Sequence, residues 1–443
     1  MRQQLVSPGA SELSYEIRGI VRKADQLQAL GRTIYWENIG DPIQKNWQIP
    51  DWIKDIVSEL AQDDKSYGYS HSMGDRAVRK FLAEQNNQLG GARIDAEDIL
   101  FFNGLGDGIS TLYQFINPVT RIIGPSPAYS THSSGEAAHA NASPLTYTLN
   151  PAKNWYPNMQ DLRNQITYNP YIVGILLINP DNPTGMVYPL EILEEFVQLA
   201  KEFDLFLICD EIYGAITYNG AQHHPLAEVI DDVPGIALKG MSKDLPWPGS
   251  RCGWMEFYNR GSDSIFDKLY QTLVNAKMLE VCSTTLPQMV IPKVYGTPQF
   301  KEYRELTNEK IGKRSRLIAS FLEDIPYLYF NATNGAFYNT IIFKPGVINS
   351  RQKLTIEDPE VQALIDTWLS EKNILPDKRF VYYLLAAKGV CVVPISSFCS
   401  ELMGFRVTLL EEDEPTLRET FTRIREAVIE YCESDAHLYI EQL

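Results

Sequence analysis

Lys243 is the residue best placed to do chemistry, because it follows the apolar run 236–238 after a short turn. A lysine in such a place is most often a solvated surface residue. Close to a buried cationic group, however, it acquires the reactivity that a Schiff-base lysine requires. Both interpretations remain open from this residue alone, so its neighbours along the chain decide between them.

Asp210 is the second candidate, and it comes directly after the apolar run 205–209. Burying a carboxylate at the end of five apolar residues without a partner would destabilise the fold. It therefore needs a cation or a hydrogen-bond donor nearby. A protonated pyridine nitrogen would satisfy it, and so would a structural arginine.

Two polar turns follow other predicted strands. Segment 103–108 (NGLGDG) opens a helix-like stretch, where backbone N–H groups and the positive helix end can hold a phosphate, although a plain structural turn is equally compatible. In segment 179–185 (NPDNPTG), two Asn-Pro pairs keep the chain extended and rigid. This segment is either a plain connecting turn or a rigid support that holds the Asn182 amide towards a ligand. In open α/β sheets, ligands bind at the carboxyl ends of strands, where these residues are predicted to lie.

The elements that position these residues are short apolar strands that alternate with helical stretches. The clearest predicted strands are 99–102, 121–124, 172–178, 205–209 and 236–239, and helices are predicted at 74–88 and 189–203. Near-continuous apolar strands separated by helices indicate an α/β fold with a mainly parallel sheet, flanked by helices on both faces.

The pattern changes from about residue 330. Strands are predicted at 336–343 and 390–393, and a long closing helix at 415–432. We therefore expect two domains: a smaller α+β domain formed by 1–48 and 326–443, and a large α/β domain formed by 49–325. A chain of 443 residues is long enough for both.

Composition excludes several classes of partner. The formal net charge is -16, which disfavours nucleic acid and anionic membrane surfaces. The six cysteines form no C-x-x-C pair and have no zinc-like spacing with the histidines, so we expect free thiols and no metal site. The first residues lack the apolar segment of a secretory signal, and no apolar run is long enough to span a bilayer. A cytoplasmic location is therefore expected.

Taken in order, these features resemble the class I/II aminotransferase family, within the fold type I pyridoxal-phosphate-dependent enzymes. The resemblance covers nearly the whole chain. The matching segments are IGDP (39–42), NGLGDGI (103–109), NPDNPTG (179–185), DEIY (210–213), SK (242–243), GSRCGW (249–254), GAFY (335–338), VVPISSF (392–398) and FRVTL (405–409). The combination of NPxNPTG, DExY and SK followed eight residues later by arginine is highly specific.

The resemblance implies that pyridoxal 5'-phosphate (PLP) is the cofactor and that the large domain binds it. Lys243 corresponds to the Schiff-base lysine, which also acts as general base and acid. Asp210 corresponds to the carboxylate that pairs with the pyridinium nitrogen. The other implied cofactor contacts are Asn182 and Tyr213 at the ring oxygen, Tyr129 stacked on the ring, and Ser242, Arg251 and the backbone of Leu105 and Gly106 at the phosphate.

The resemblance also implies where the substrate and a second subunit bind. Arg406 corresponds to the arginine that holds the substrate α-carboxylate, and Gly40 and Asn182 contact the same group. Tyr69 corresponds to a tyrosine that reaches the phosphate of the partner subunit, which implies a homodimer. The substrates are an amino acid and a 2-oxo acid. Because Gly106 stands where some family members have lysine, we expect a neutral amino donor; Arg18 and Lys277 are the remaining cations that could bind a distal carboxylate.

The resulting hypothesis is ping-pong transamination, with pyruvate or 2-oxoglutarate as acceptor. Two alternatives remain at this point. The same scaffold supports other PLP reactions, such as β-elimination from a sulfur amino acid, because a fold does not dictate one reaction. A non-catalytic binding protein on this fold is the other alternative. Two departures from the family pattern, Asn334 before GAFY and the segment 394–399 (PISSFC), concern the predicted small domain and hence the substrate side.

Overall fold

The computed structural model describes residues 5–6, 8–13 and 17–435, so both ends of the predicted small domain lie partly outside the described residues. The strands are β1 (Tyr35–Trp36), β2 (Ile99–Phe102), β3 (Arg121–Ser126), β4 (Thr146–Asn150), β5 (Tyr156–Pro157), β6 (Ile172–Ile178), β7 (Phe206–Asp210), β8 (Gly235–Gly240), β9 (Gly253–Tyr258), β10 (Leu328–Tyr329), β11 (Tyr338–Phe343), β12 (Val390–Cys391), β13 (Val393–Pro394) and β14 (Gly404–Thr408). The helices are α1 (Ile17–Ala29), α2 (Asp51–Leu60), α3 (Arg76–Leu89), α4 (Leu105–Phe115), α5 (Ser130–Ala140), α6 (Met159–Tyr168), α7 (Leu190–Phe203), α8 (Leu226–Val229), α9 (Met241–Asp244), α10 (Ser264–Glu280), α11 (Thr285–Tyr295), α12 (Pro298–Leu322), α13 (Pro359–Leu369), α14 (Pro376–Lys388) and α15 (Glu414–Glu433).

The central sheet has eight strands in the order β2-β9-β8-β7-β6-β3-β4-β5. Strands β8, β7, β6, β3 and β4 run parallel to their neighbours in this series. Strand β9 is antiparallel to both β2 and β8, and β5 is antiparallel to β4. The prediction of a mainly parallel sheet is confirmed.

Helices cover both faces of this sheet, as the apolar strands predict. Successive side chains of one strand belong to different cores: Phe101 packs into one apolar cluster and Phe102 into another. The same alternation separates Leu177 from Leu176. Because alternate side chains point to opposite faces and both faces are covered, β2 and β6 have no solvent-exposed face.

A smaller sheet of four antiparallel strands follows, in the order β10-β11-β14-β13. Its core includes α14, α15 and the side chains of Ile20, Ala24 and Leu27 from α1. Strand β1 pairs with β12, which attaches the segment after α1 to the same region. The division of the chain at 48/49 and 325/326 remains our proposal.

Several boundaries differ from the sequence prediction for local physical reasons. Strand β11 begins at Tyr338 rather than residue 336, because Ala336 has φ 51° and interrupts the extended chain. The predicted strand 390–393 is two short strands, β12 and β13, which pair with different partners. Strand β9 was not predicted. In the described part of the chain, no helix is both long and apolar enough to cross a membrane.

Candidate active site

A cavity of about 470 Å³ lies at the carboxyl ends of β6, β7 and β8, between the large sheet and the small one. Its size lies within the range of small-molecule sites. Eleven of the predicted site residues line it: Gly40, Leu105, Gly106, Tyr129, Asn182, Asp210, Tyr213, Ser242, Lys243, Arg251 and Arg406. The structure therefore brings together residues that are up to 366 positions apart in the chain.

Lys243 lies in the single turn of α9, which begins directly after β8. Its Nζ donates a hydrogen bond to the carbonyl oxygen of Gly40 at 2.7 Å. The aromatic rings of Phe337 and Tyr213 lie 5.6 and 6.0 Å from Nζ. The amine is thus held between the N-terminal segment and an aromatic wall, with its donor group in the cavity.

Asp210 ends β7 and is 3% exposed. One carboxylate oxygen accepts the backbone N–H of Ile212 at 3.1 Å, and the other lies 2.9 Å from Nε2 of His132. His132 lies in the first turn of α5, and Tyr129 is the residue that precedes this helix, so the start of α5 supplies both side chains. The sequence prediction missed His132, although both residues lie in the segment PSPAYSTH.

The candidate phosphate site is formed where α4 begins. The first residues of α4, Leu105 and Gly106, line the cavity beside Ser242 and Arg251. Gly104 has φ 86°, and a Cβ added there would lie 2.4 Å from the Arg251 guanidinium. The arginine is therefore packed against a turn that only glycine allows, and it brings a positive charge to the unpaired N–H groups of a helix N-terminus.

The turn 179–185 is fixed by its own side chains. Asp181 accepts hydrogen bonds from the backbone N–H and hydroxyl of Thr184, and burial raises the pKa of Asp181 to about 7. Asn179 Oδ1 accepts the backbone N–H of Tyr188 at 2.9 Å. These contacts hold Asn182, which is 4% exposed, in the cavity wall.

Arg406 lies on β14 and is 3% exposed. Its Nη2 donates to the carbonyl oxygen of Asn38 at 2.6 Å, and its Nη1 donates to Asn182 Oδ1 at 3.2 Å. The guanidinium also lies between two rings, 4.3 Å from the centroid of Tyr338 and 5.0 Å from that of Phe398. Its buried Nε has no hydrogen-bond partner among the described residues, so the group retains a donor for an anion.

Both departures from the family pattern lie close to residues of the site. Asn334 uses its side-chain oxygen to accept the backbone N–H of Val187 at 2.8 Å, and its own N–H donates to the carbonyl oxygen of Gly185 at 3.1 Å. These bonds tie the segment before β11 to the end of the turn 179–185. Cys399 has φ 51°, the left-handed conformation that a glycine adopts easily. Phe398, in the second of these segments, lies 5.0 Å from the Arg406 guanidinium.

Of three other candidates, Arg18 lines the cavity and the other two do not. Tyr69 is 87% exposed and does not line the cavity. Lys277 is 1% exposed, forms an ion pair with Glu280 and lies 3.7 Å from Asp107, and it is absent from the cavity wall. Lys277 is therefore not available for a substrate carboxylate.

These residues fit one particular ligand chemistry. Asp210 is a buried carboxylate, and a cationic ring nitrogen is a partner that favours its charged form. The start of α4 together with Arg251 suits a phosphate. Lys243 supplies an amine to the same cavity. PLP carries a ring nitrogen, a phosphate and an aldehyde, and each finds a matching group here. By fold and by site, the molecule is a PLP-dependent enzyme of fold type I.

The chain belongs to the class I and II aminotransferases, since the model of that family matches residues 37–424. It is 50% identical over 434 residues to an uncharacterized aminotransferase of Methanocaldococcus jannaschii, covering 98% of this chain and 100% of that one. It is 33% identical over 369 residues to the glutamate-pyruvate aminotransferase AlaA of Escherichia coli K12, covering 82% and 86% of the two chains. Among solved structures, alanine aminotransferase from Pyrococcus furiosus superimposes with a TM-score of 0.82 at 25% identity, covering 96% and 100%. The protein is a PLP-dependent aminotransferase.

Proposed function

We propose that this aminotransferase moves the amino group of a neutral amino acid, alanine foremost, to a 2-oxo acid such as 2-oxoglutarate. The observation that carries the proposal is the shared cavity of Lys243 and Arg406, which offers an amine and a carboxylate clamp to one small substrate. Relatives named as glutamate-pyruvate and alanine aminotransferases support this pair of substrates. They favour transamination over the β-elimination and binding-protein alternatives.

Each lining residue then has a distinct task. When bound, PLP withdraws electrons from the substrate Cα, so that its proton becomes acidic. Lys243 holds the cofactor and moves that proton with Nζ. Asp210, oriented by His132, keeps the ring nitrogen protonated. Tyr213 and Asn182 donate to the ring oxygen, and Tyr129 packs on the ring.

The remaining residues bind the two charged ends. Ser242, Arg251 and the N–H groups of Leu105 and Gly106 hold the phosphate. Arg406 binds the substrate α-carboxylate, with Asn182 and the backbone of Gly40 beside it. A Cβ at Gly40 would lie 1.8 Å from the Tyr338 hydroxyl, so any larger residue there would displace Tyr338.

Arg18 is the cation that we assign to the distal carboxylate of glutamate or 2-oxoglutarate. Replacing Arg18 with methionine is expected to raise KM for 2-oxoglutarate roughly 10- to 100-fold, the usual effect of losing a charged hydrogen bond. The KM for alanine and pyruvate should change less than about 2-fold, because these substrates have no second carboxylate. Steady-state kinetics on both pairs checks this expectation.

Arg22 gives the matched control. It lies one turn further along α1 and does not line the cavity. The Arg22→Met variant should leave all four KM values unchanged. If the Arg18 variant showed an equal rise in KM for monocarboxylic and dicarboxylic substrates, the assignment of Arg18 would be refuted. If the wild type turned over neither alanine nor glutamate, the proposed substrates would be refuted.

We also propose that the enzyme is a cytoplasmic homodimer. Its six cysteines are all free thiols, which suits a reducing compartment. Two segments carry exposed apolar side chains, Tyr67 and Tyr69 on one and Met278, Leu279 and Val281 on the other. Their segments are joined, since Thr285 donates to the carbonyl oxygen of Gly68 at 2.8 Å. A second copy that covers this face would also bring its own Tyr69 towards the phosphate site.

Sedimentation is expected to give about twice the chain mass of 50.3 kDa. Leu279 is 88% exposed, and Leu279→Asp would bury an unpaired charge in the dimer, which should weaken association by at least about 100-fold. Ile265 is 79% exposed on the same helix but lies fourteen residues earlier, about 21 Å along the axis. Ile265→Asp is therefore the control and should sediment as the wild type. Monomeric wild-type protein with full activity would contradict the proposal.

A further inference from the structure

Tyr338 lies in the wall of the active-site cavity, beside residues assigned to the cofactor and to the substrate. It is the first residue of β11, is 3% exposed and lines the cavity. Its neighbour across the sheet is Thr408, two residues from Arg406 on β14. The small sheet thus delivers Tyr338 and Arg406 to the same wall of the cavity.

On one side Tyr338 contacts Tyr213. The two hydroxyl oxygens are 3.1 Å apart, with Tyr213 as donor in this structure, and the rings meet edge to face at 5.8 Å. Burial, and then the neighbouring Tyr338, raise the pKa of Tyr213 well above its ordinary value. Tyr213 therefore keeps its proton at neutral pH and can act as a hydrogen-bond donor.

On the other side Tyr338 contacts the substrate end of the cavity. Its ring lies 4.3 Å from the Arg406 guanidinium carbon, a cation–π distance. Its hydroxyl lies against Gly40, where no side chain fits. One side chain therefore touches the assigned carboxylate clamp, the backbone beside it and the assigned donor to the cofactor ring oxygen.

We propose that Tyr338 is a positioning residue that couples the substrate-carboxylate site to Tyr213. This inference rests on the roles proposed above for Tyr213 and Arg406. A tyrosine hydroxyl donates one hydrogen bond and accepts others, and its hydrogen can rotate. When Tyr213 donates to the cofactor, the Tyr338 hydroxyl can donate to Tyr213 and strengthen that bond, while its ring holds Arg406 in place.

Two substitutions separate the two halves of this role. Tyr338→Phe removes the hydroxyl and keeps the ring. The hydrogen bond from Tyr213 to the oxygen on the cofactor ring then weakens. The visible absorbance of the lysine-bound cofactor changes with pH, and the midpoint of this change is expected to rise by about 0.5 to 1 pH unit, the size expected for one weakened hydrogen bond. KM for alanine should stay within about 2-fold, since the ring still stacks on Arg406.

Tyr338→Leu removes the ring as well. It is expected to raise KM for alanine roughly 10- to 30-fold, because a desolvated cation–π contact is lost, in addition to the shift of the absorbance midpoint. Tyr218→Phe is the matched control: Tyr218 is also buried, its hydroxyl lies 2.9 Å from Thr333 Oγ1, and it does not line the cavity. This variant should retain the wild-type midpoint and KM.

The experiment is a pH titration of the absorption spectrum together with steady-state kinetics on PLP-reconstituted enzyme, after thermal melts show which variants fold. If Tyr338→Phe and Tyr338→Leu both match Tyr218→Phe, the inference is overturned while the proposed function stands. If even the wild type shows no pH-dependent visible band after reconstitution, the proposed function fails and this inference with it. A raised midpoint in Tyr338→Phe with an almost unchanged KM supports the coupling.

Discussion

Replacing Lys243 with alanine is expected to lower kcat/KM for transamination roughly 10²- to 10⁴-fold through the loss of a positioned acid–base group alone. The substitution also removes the amine that holds the cofactor covalently. Within the described part of the chain, no other lysine lines the cavity. No neighbouring amine can therefore replace it.

The test combines kinetics with chemical trapping. Borohydride reduction of the reconstituted wild type, followed by peptide mass spectrometry, should place the cofactor on the peptide that contains Lys243. Lys243→Arg keeps the positive charge and should be as inactive as the alanine variant. Lys54→Ala, which removes only a surface ion pair with Asp51, should be fully active. Trapping on a different lysine, or an active Lys243→Ala variant, would contradict the assignment.

Replacing Asp210 with asparagine is expected to lower kcat roughly 10²- to 10⁴-fold, because the protonated ring nitrogen of the cofactor loses its negatively charged partner. Asparagine has nearly the same shape and can still contact His132, so the loss reports on charge rather than packing. We expect weaker cofactor binding as well. Activity of Asp210→Asn and cofactor affinity by fluorescence titration are the two measurements.

Asp377→Asn is a control for the loss of a buried carboxylate. Asp377 is 0% exposed, and its oxygens accept backbone N–H groups, including that of Ser396 at 2.8 Å, away from the cavity. This variant should lose about 1–2 kcal/mol of unfolding free energy while kcat remains within about 2-fold. If Asp210→Asn behaved in the same way, Asp210 would have a structural role only.

Much of the site could be predicted from local sequence because each motif lies next to its strand. Lys243 follows β8, Asp210 ends β7, and Asn182 follows β6, so the parallel order of these strands is enough to bring the three together. The strands themselves were recognisable because both of their faces are buried, which produces uninterrupted apolar runs.

The residues that were missed act through contacts between distant parts of the chain. Tyr338 reaches Tyr213 across 125 positions, and nothing near either tyrosine signals this pairing. The positive charge of Lys277 made it a candidate for a distal substrate carboxylate, but the structure places it against Asp107 and Glu280. Strand β9 escaped prediction because its sequence, GWMEFY, includes a buried charge, Glu256, that is neutralised by Lys239 from the neighbouring strand.

The most direct test of the central claim is the absorption spectrum of the PLP-reconstituted enzyme during one half-reaction. Addition of alanine without an acceptor should convert the visible band of the lysine-bound cofactor into that of pyridoxamine phosphate, with release of one pyruvate for each site. Addition of 2-oxoglutarate should then restore the original band. The account would be contradicted if no amino acid converted the band, or if ammonia accumulated together with pyruvate while the band persisted.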